Sequence, residues 1–551
     1  MKRIDRQTFP ARALLVSAGL LFLSLGHANA QLGLAHSHLR AQPVPAPTSP
    51  VAPIRAIAVN YKKVNGPASR MFKQCVGAGR ANEGLRADWQ RQLTYAKQEC
   101  DFQYIRMHGL LDDDMGVYSE DRAGKPIYNW QYVDELYDFL HRIHVRPFVE
   151  IGFMPGALAS GSKTIFWYRG NVTPPKDYGK WHDLIKALVQ HWTERYGADE
   201  VKQWYFEVWN EPNLKDGFWT GDQQEYFKLY GETAKAIKEI SYAYKVGGPA
   251  TAGGDWITAF IDYCATSHAP VDFVSSHAYG VKQGFLDADG SSGTVIDPDR
   301  NAIIGNMKWV RSQVIGSPLP HLPVFFTEWS SSYTPADPIH DSYFEASYVL
   351  EKIKHAETVA DGMSYWTFTD IFEEAGPRTT PFHGGFGLIN YQDINKAAFY
   401  SYRFLNHLGP SELSNAGDSS IVTKDARGNV QALVWDCTVT SPGKENDQVF
   451  YKRDQPAKPK GSVTLTIADL PAGRYKVSYS KVGYRANDAY ATYMDIGSPS
   501  QLTPAQVALI RRRNSGAPYA SEIVKIEQGR EFMKTLPMRE NDVYFVTLTR
   551  L

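Results

Sequence analysis

Two carboxylates stand directly after apolar runs of the chain. Glu211 follows the run 204–208 within the tetrapeptide Asn-Glu-Pro-Asn, and Glu328 follows the run 323–327. A glutamate in such a position is costly unless it is paired or used. Cleavage of a glycosidic bond needs two carboxyl groups, one to protonate the leaving oxygen and one to meet the anomeric carbon. We predict Glu211 and Glu328 as this pair, although each alone could belong to a structural ion pair.

Side chains that suit a sugar lie near the ends of neighbouring apolar runs. Hydroxyl-rich ligands need groups that donate and accept, together with an aromatic surface for the C–H face of the ring. The predicted substrate-binding residues are His108, Asn210, His277, Tyr279, Trp366, Glu373 and Glu374. Either histidine could instead be a core residue, and Trp366 could serve packing alone. Glu207 is a weaker candidate, because strand alternation could bury it as a structural acceptor.

Short apolar runs alternate with helical patterns between residues 70 and 407. The predicted strands are 75–78, 104–108, 146–151, 204–208, 245–247, 272–276, 323–327 and 364–367. The predicted helices lie near 84–99, 131–143, 180–195, 222–239, 255–267, 303–314, 341–358 and 396–407. Eight such units match an α/β fold, the (β/α)8 TIM barrel, whose strand C-termini form the catalytic face. A doubly wound open sheet is the alternative, but no glycine-rich dinucleotide fingerprint follows these strands.

The alternation of strand and helix patterns ends after residue 408. Five β-rich runs, separated by Gly, Pro, Asp and Asn, predict an accessory antiparallel β-sandwich domain over 408–551. A small helical element near 503–513 interrupts it, with Pro504 at a first-turn position. Residues 54–69 are strand-like, and we predict that they join the sandwich.

The first thirty residues have the features of an export signal. Four basic side chains precede or border an apolar run over 13–25, and Ala28-Asn29-Ala30 provides a small-residue cleavage site. The run is too short to span a bilayer comfortably, although an uncleaved membrane anchor is the alternative. Residues 31–53 follow as a Pro-rich linker. We therefore expect an exported protein, periplasmic or secreted, that is cleaved after residue 30.

The composition narrows the classes of function. Lys and Arg number 59, as do Asp and Glu, so the 551-residue chain is formally neutral and offers no basic bias toward nucleic acid. No other run is long and apolar enough to cross a membrane. The four cysteines show no metal-binding spacing, and we predict no metal and no organic cofactor. Aromatic residues make up 13%, which suits a core and sugar-binding surfaces equally.

An ordered set of motifs resembles the family 39 glycoside hydrolases, in particular their bacterial β-xylosidases, over roughly residues 55–551. The motifs are 105–114 (IRMHGLLDDD), 148–155 (FVEIGFMP), 170–178 (GNVTPPKDY), 206–214 (FEVWNEPNL), 365–370 (YWTFTD) and 382–388 (FHGGFGL). Asn-Glu-Pro alone is typical of many retaining barrels, whereas the whole set is specific. The resemblance implies a TIM barrel with a β-sandwich and a small helical element.

The resemblance also implies a reaction. It implies a retaining exo-glycosidase that hydrolyses terminal β-D-xylose residues of xylo-oligosaccharides, with Glu211 as acid/base and Glu328 as nucleophile. It places the other predicted residues around the terminal sugar. Because xylose has no exocyclic C6, we expect the segment 366–374 and the loop Phe382-His383 to close over C5.

Several alternatives remain at this stage. One is a related enzyme acting on an α-L-arabinoside or an α-L-iduronide, but a uronate needs a cation, whereas the predicted site offers Glu373 and Glu374. Another is an endo-acting glycanase, although long loops at 152–179 and 279–302 favour a pocket over a groove. A third is a non-catalytic carbohydrate-binding protein, against which the presence of both carboxylates argues. The sequence leaves the oligomeric state open.

Overall fold

Eight parallel strands close into a barrel, which confirms the predicted fold class. The computed structural model describes residues 54–283, 293–415, 417–440, 442–443 and 445–551. The barrel strands, first to eighth, are Cys75–Arg80, Tyr104–His108, Arg146–Ile151, Tyr205–Val208, Lys245–Ala252, Phe273–Tyr279, Val324–Ser330 and Gly362–Tyr365. The eighth strand pairs in parallel with the first and completes the ring. The predicted signal peptide and linker, residues 1–53, lie outside the described residues and stay predictions.

Helices surround the barrel, because each has one apolar side that it buries against the strands. The helices of this layer are Ala87–Cys100, Gln131–Arg142, Tyr178–Tyr196, Ala198–Val201, Gln223–Ile240, Ile257–Ser267, Ile304–Ile315, Phe344–Ala356 and Ala397–Asn406. Short 3-10 turns occupy Met71–Lys73, Ala81–Leu85, Asp113–Met115, Gly156–Leu158 and Pro338–Asp341. Two-stranded ribbons in the loops pair Tyr118–Glu120 with Pro126–Tyr128, Thr164–Ile165 with Gly170–Asn171, and Val281–Gln283 with Val295–Ile296.

An aromatic layer fills the N-terminal end of the barrel. The rings of Phe148, Phe273 and Phe325 lie 5.5–5.8 Å apart, mostly edge to face. Tyr104 and Tyr205 pack against the same cluster. Edge-to-face packing of this kind adds to the gain from burial alone. The layer closes the barrel from below, so that the polar residues at the other strand ends meet solvent from one side only.

Nine strands form a second sheet beside the barrel. They are Ile54–Pro67, Ser411–Asn415, Ser420–Lys424, Val430–Trp435, Pro459–Ala468, Gly473–Val482, Ala520–Ile526, Phe532–Arg539 and Val543–Arg550. Many of their buried side chains form a hydrophobic core of their own, as in a β-sandwich, while others, such as Trp435 and Phe545, pack into the core of the barrel. Ile54–Pro67 lies between two strands from the C-terminal part of the chain: it pairs antiparallel with Ser411–Asn415 and parallel with Pro459–Ala468.

The sandwich rests on the outer helices of the barrel. The ring of Phe404 stacks on that of Phe545 with 5.0 Å between centroids. The indole of Trp435 donates a hydrogen bond of 2.9 Å to the buried carboxylate of Glu351. These contacts fix the sandwich against helices that follow the seventh and eighth strands.

Short helices interrupt the sandwich at Asp447–Phe450, Ala489–Asp495 and Pro504–Arg513. The last helix begins at Pro504, as its first-turn position predicted. Its N-terminus has a capping box, in which Thr503 and Gln506 exchange hydrogen bonds. Phe382 packs against Tyr490 and Tyr493 of the middle helix. The helix Ala489–Asp495 therefore anchors the segment that follows the eighth barrel strand.

Two further properties of the described residues concern membrane-spanning helices and the cysteines. No helix among them is long and apolar enough to cross a membrane. All four cysteines are unpaired, three of them buried and Cys437 partly exposed. Burial raises the pKa of each thiol, as in isolated core cysteines rather than reactive ones.

Candidate active site

The fourth and seventh strands bring Glu211 and Glu328 together at the C-terminal mouth of the barrel. One side-chain oxygen of each carboxyl lies within 4.8 Å of the other. Both residues are more than nine-tenths buried. Glycosidases that invert configuration hold their carboxyls about 6.5–9.5 Å apart to admit a water, whereas retaining enzymes hold them about 5–5.5 Å apart. The observed separation is that of the retaining class.

A strained turn aims Glu211 into the mouth. The backbone of Trp209 has φ +71° and that of Glu211 has φ +42°, a left-handed conformation that non-glycine residues rarely adopt. The amide of Glu211 donates to the carbonyl of Ala250 on the fifth strand, at 2.9 Å, and the Trp209 indole donates to the carbonyl of Phe218. Such strain persists only where the surroundings enforce it, and it is concentrated at functional sites.

Arg106 on the second strand is a fully buried cation beneath the two carboxylates. Its guanidinium reaches Glu207 at 2.5 Å, Glu328 at 2.7 Å and Glu150 at 2.9 Å. It also donates to the amide oxygen of Asn210 at 2.9 Å. One side chain thus connects strands two, three, four and seven. The planar guanidinium suits this role, because its five N–H groups have fixed directions.

Burial and the charge of Arg106 affect the carboxyls of this cluster differently. Burial raises the pKa of Glu150 to about 8, although Arg106 opposes the shift. For Glu207 burial is also the largest single effect, but the attraction of Arg106 and the hydrogen bonds that the carboxylate accepts together outweigh it, so the pKa is lowered. At neutral pH Glu150 therefore keeps its proton, and Glu207 is an anion beside Arg106.

Glu328 is held by donors on both oxygens. Arg106 donates to Oε1, and the hydroxyl of Tyr279 donates to Oε2 at 2.7 Å. Nε2 of His108 lies 3.6 Å from Oε1, and Nδ1 of His277 lies 3.5 Å from Oε2. Charge-assisted hydrogen bonds of this kind suit a carboxylate anion and fix its direction. This arrangement suits the nucleophile that the sequence predicts at Glu328.

The surroundings of Glu211 favour its protonated form. Burial raises its pKa to about 7, and the positive charge of Arg106 only partly offsets this. Nδ1 of His277 lies 2.8 Å from Oε1 of Glu211. Burial also lowers the pKa of His277 to about 4, so the imidazole is neutral at neutral pH and adds no charge that would strip the proton from Glu211. The pair of carboxyls is thereby divided into an acid and an anion.

A cavity of about 470 Å³ opens above these groups. The residues that line it are His108, Phe166, Asn210, Glu211, Asn213, Leu214, Phe218, Ala252, Gly253, Asp255, His277, Tyr279, Val281, Glu328, Tyr333, Trp366, Glu374 and Phe386. Both predicted catalytic residues are among them, with all but one of the predicted substrate-binding residues. The amide NH2 of Asn210 has no partner in the described part of the chain, because Arg106 occupies its oxygen.

Glu373 is the predicted binding residue that the structure does not bring to the cavity. Its carboxylate accepts from Arg80 at 2.8 Å and from Arg86 at 3.0 Å. Its backbone amide donates to the buried carboxylate of Glu83. The turn after the eighth strand directs consecutive side chains to opposite sides, so Glu374 faces the cavity while Glu373 supports the wall behind it.

The predicted cover over the sugar is also partly wrong. Phe382 points away from the cavity and packs on Tyr493 of the helix Ala489–Asp495. His383 lies against the carbonyl of Thr380. Phe386, four residues further along, lines the cavity instead. The second aromatic cover is Phe166, which lies between the two short strands of a loop ribbon.

Sequence reasoning underestimated Arg106 and missed Phe166. The signal for Arg106 was present, since a lone arginine between Ile105 and Met107 must point into the barrel and needs anionic partners. Phe166 gave no comparable signal, because its φ of +65° places it in a turn that no periodicity predicts. Glu150 and Glu207 behave as the buried acceptors that alternation along a strand allows.

One group of side chains could also hold a metal ion. Glu211, His277 and Glu328 each offer a ligand atom within 4.8 Å of the others, and no other such group occurs in the described ranges. A cation there would compete with the hydrogen bond between His277 and Glu211 and would need to deprotonate the acid. The geometry of the carboxyls suits proton transfer and nucleophilic attack without an ion.

Comparison with known proteins places the chain among enzymes of one family. The family model described as Glycosyl hydrolases family 39 matches residues 55–525. The chain is 43% identical to a beta-xylosidase of Geobacillus stearothermophilus over 387 residues, which cover 68% of this chain and 76% of that protein. It is 37% identical to a beta-xylosidase of Caldicellulosiruptor saccharolyticus over 458 residues, or 82% and 90% of the two chains.

A solved structure shares the whole architecture. The GH39 enzyme from Xanthomonas axonopodis pv. citri matches with a TM-score of 0.88 and 42% identity. The match covers 92% of this chain and 100% of that chain.

Replacing Arg106 tests its role as the shared cation. We expect Arg106→Met to lower the free energy of unfolding by at least about 3 kcal/mol, because it leaves buried carboxylates unpaired. The matched control is Arg195→Met, which removes a part-exposed arginine that also touches two carboxylates, Asp134 and Asp138. Its loss should stay below about 1 kcal/mol. Urea unfolding at pH 7 gives both values, and equal losses would contradict the assignment.

Proposed function

The chain belongs to family 39 of the glycosyl hydrolases, and we propose that it is a β-xylosidase that releases terminal β-D-xylose from xylo-oligosaccharides with retained configuration. The observation that carries the proposal is the close pair of carboxyls, Glu211 and Glu328, in a cavity lined by residues that suit a sugar. Relatives named beta-xylosidase, 37–43% identical over most of the chain, support the choice of sugar.

The first step forms a covalent intermediate. The carboxylate of Glu328 attacks the anomeric carbon, and the bond from that carbon to the leaving oxygen breaks. Glu211 donates its proton to the leaving oxygen. The raised pKa of Glu211 keeps that proton available at neutral pH. The free NH2 of Asn210 is oriented by Arg106 to hold the 2-hydroxyl, a contact that strengthens as positive charge develops on the ring.

The second step returns the enzyme to its first state. Once the ester to Glu328 has formed, the negative charge of that carboxylate is gone and Glu211 is ionised. Glu211 then takes a proton from water, whose oxygen attacks the anomeric carbon while the ester bond breaks. Two inversions at the same carbon leave the configuration unchanged. Besides the substrate and one water molecule, the two steps use only side chains of this protein.

The charges around the cavity argue against a uronide substrate. A uronate carboxylate needs a cation beside C5, yet no lysine or arginine lines the cavity within the described residues. Glu374 lines it instead, and burial, followed by repulsion from Glu328, raises its pKa well above the usual value. A neutral Glu374 can donate to a hydroxyl and accept from one, which suits a neutral sugar.

A panel of aryl glycosides tests the choice of sugar. We expect kcat/KM for an aryl β-D-xyloside to exceed that for the β-D-glucoside by at least about a hundredfold, equivalent to roughly 2.7 kcal/mol. The expected physical reason is a clash: Phe166, Phe386 and Trp366 line the cavity, and we propose that they close around the xylose ring so that a hydroxymethyl group at C5 does not fit. The α-L-arabinopyranoside, which also lacks C6, should fall between them, and equal rates on xyloside and glucoside would contradict the proposal.

The acid assignment predicts a pH dependence. Glu211 must be protonated in the free enzyme, so kcat/KM for an aryl xyloside should fall above pH 7, tenfold per pH unit. The sign follows from burial, which raises the pKa and thereby extends the protonated range upward. Glu211→Gln should keep the fold and lose this alkaline limb when the leaving group is good. A limb that persists in Glu211→Gln would assign the acid to another residue.

A further inference from the structure

We propose that Asn213, Leu214 and Asp255 form a subsite for the leaving group, in which the carboxylate of Asp255 accepts a hydrogen bond from a hydroxyl of a departing sugar. The inference rests on the proposed function and adds a residue that determines specificity: Asp255 should assist the departure of a sugar and have no effect on the departure of an aryl group.

The barrel order divides the cavity into two sides. Glu211 stands on the fourth strand, and Trp366 and Glu374 follow the eighth strand across the ring. Since Glu211 protonates the leaving oxygen, the leaving group must lie beside Glu211 and away from the groups that hold the terminal sugar. The loops that follow the fourth and fifth strands occupy that side. They supply Asn213, Leu214 and Asp255 to the cavity lining.

Hydrogen bonds join these two loops into one wall. The side-chain oxygen of Asn213 accepts from the amide of Ala252 at 2.9 Å, and its NH2 donates to the carbonyl of Ala252 at 3.1 Å. The same NH2 lies 3.3 Å from Oδ2 of Asp255. Asn213 therefore positions Asp255 relative to Glu211, two residues before it in the sequence.

Asp255 has acceptor capacity to spare. The amide of Asn213 is the one side-chain donor that reaches its carboxylate within the ranges that the structure describes. Its side chain is exposed at the mouth of the cavity rather than neutralised by a basic partner. A carboxylate accepts hydrogen bonds and donates none, so its natural partner here is a hydroxyl group. A sugar leaving group provides such hydroxyls, whereas a nitrophenyl group has none.

Apolar and aromatic side chains also line the cavity. Leu214 is 38% exposed despite its apolar side chain, and Val281 and Tyr333 line the cavity with it. An apolar face beside a single acceptor matches a pyranose ring, which has C–H faces and hydroxyls at its edge. The cavity of about 470 Å³ is also larger than one pentopyranose requires, which leaves room for part of a second ring.

The test compares two substrates that share the same terminal xylose. For wild type and Asp255→Ala, kcat/KM is measured on xylobiose and on 4-nitrophenyl β-D-xyloside, and the first value is divided by the second. We expect this ratio to fall about tenfold in Asp255→Ala, because a hydrogen bond to a charged group is lost with the sugar leaving group alone. A fall smaller than threefold would overturn the inference.

The matched control is Asp262→Ala. Asp262 is an exposed aspartate on the helix Ile257–Ser267, close in sequence but absent from the cavity lining. Asp262→Ala removes the same charge from the same region of the surface. Its ratio of kcat/KM on xylobiose to kcat/KM on the aryl xyloside should equal that of wild type. If Asp262→Ala lowered the ratio as much as Asp255→Ala, a long-range effect of charge would replace the proposed contact.

An acceptor experiment provides a second readout. In transfer, the oxygen of an acceptor hydroxyl bonds to the anomeric carbon as the ester to Glu328 breaks, and its proton passes to Glu211. The acceptor must occupy the leaving-group subsite, so Asp255→Ala should lower the ratio of transfer to hydrolysis when xylose is the acceptor. An unchanged ratio would overturn the inference. Wild type that does not hydrolyse the aryl xyloside would instead contradict the proposed function.

Discussion

The guanidinium of Arg106 is the interaction on which the site depends. One buried cation meets Glu150, Glu207 and Glu328 within 3 Å and also fixes the amide of Asn210. Several charges at this depth are tolerated only when they are paired and hydrogen-bonded, and removal of one partner leaves the others without compensation. Arg106 is therefore the cation that compensates the buried carboxylates of the neighbouring strands, Glu207 and Glu328 among them.

The packing around this charge cluster determines the protonation of its neighbours. The aromatic layer around Phe148 closes the lower end of the barrel, so water reaches the cluster from the mouth alone. The low polarity that results raises the pKa of Glu211 and lowers that of His277, each by burial first. Arg106 acts unequally on the two catalytic carboxyls, since it touches Glu328 and not Glu211. Two chemically identical side chains thus have the different surroundings that the proposed roles of acid and nucleophile require.

Much of the fold and of the site could be predicted from the sequence, and the limits have physical causes. Periodicity located all eight barrel strands, and the position of Glu211 and Glu328 after apolar runs indicated a pair at one end of the barrel. Side-chain direction in the loops has no such regularity, which is why Glu373 was predicted in the cavity and lies behind its wall. Phe382 was misplaced for a related reason: its partner, Tyr493, lies more than a hundred residues away, on a helix within the sandwich domain.

The central claim is that a nucleophile and an acid at this separation act in two displacements at one carbon. The most direct test is proton NMR of the first sugar released from an aryl β-D-xyloside, recorded before mutarotation. The account predicts that β-xylose appears first and that the α-anomer grows in only later. Initial release of α-xylose would mean that water attacks directly, and it would contradict the role assigned to Glu328.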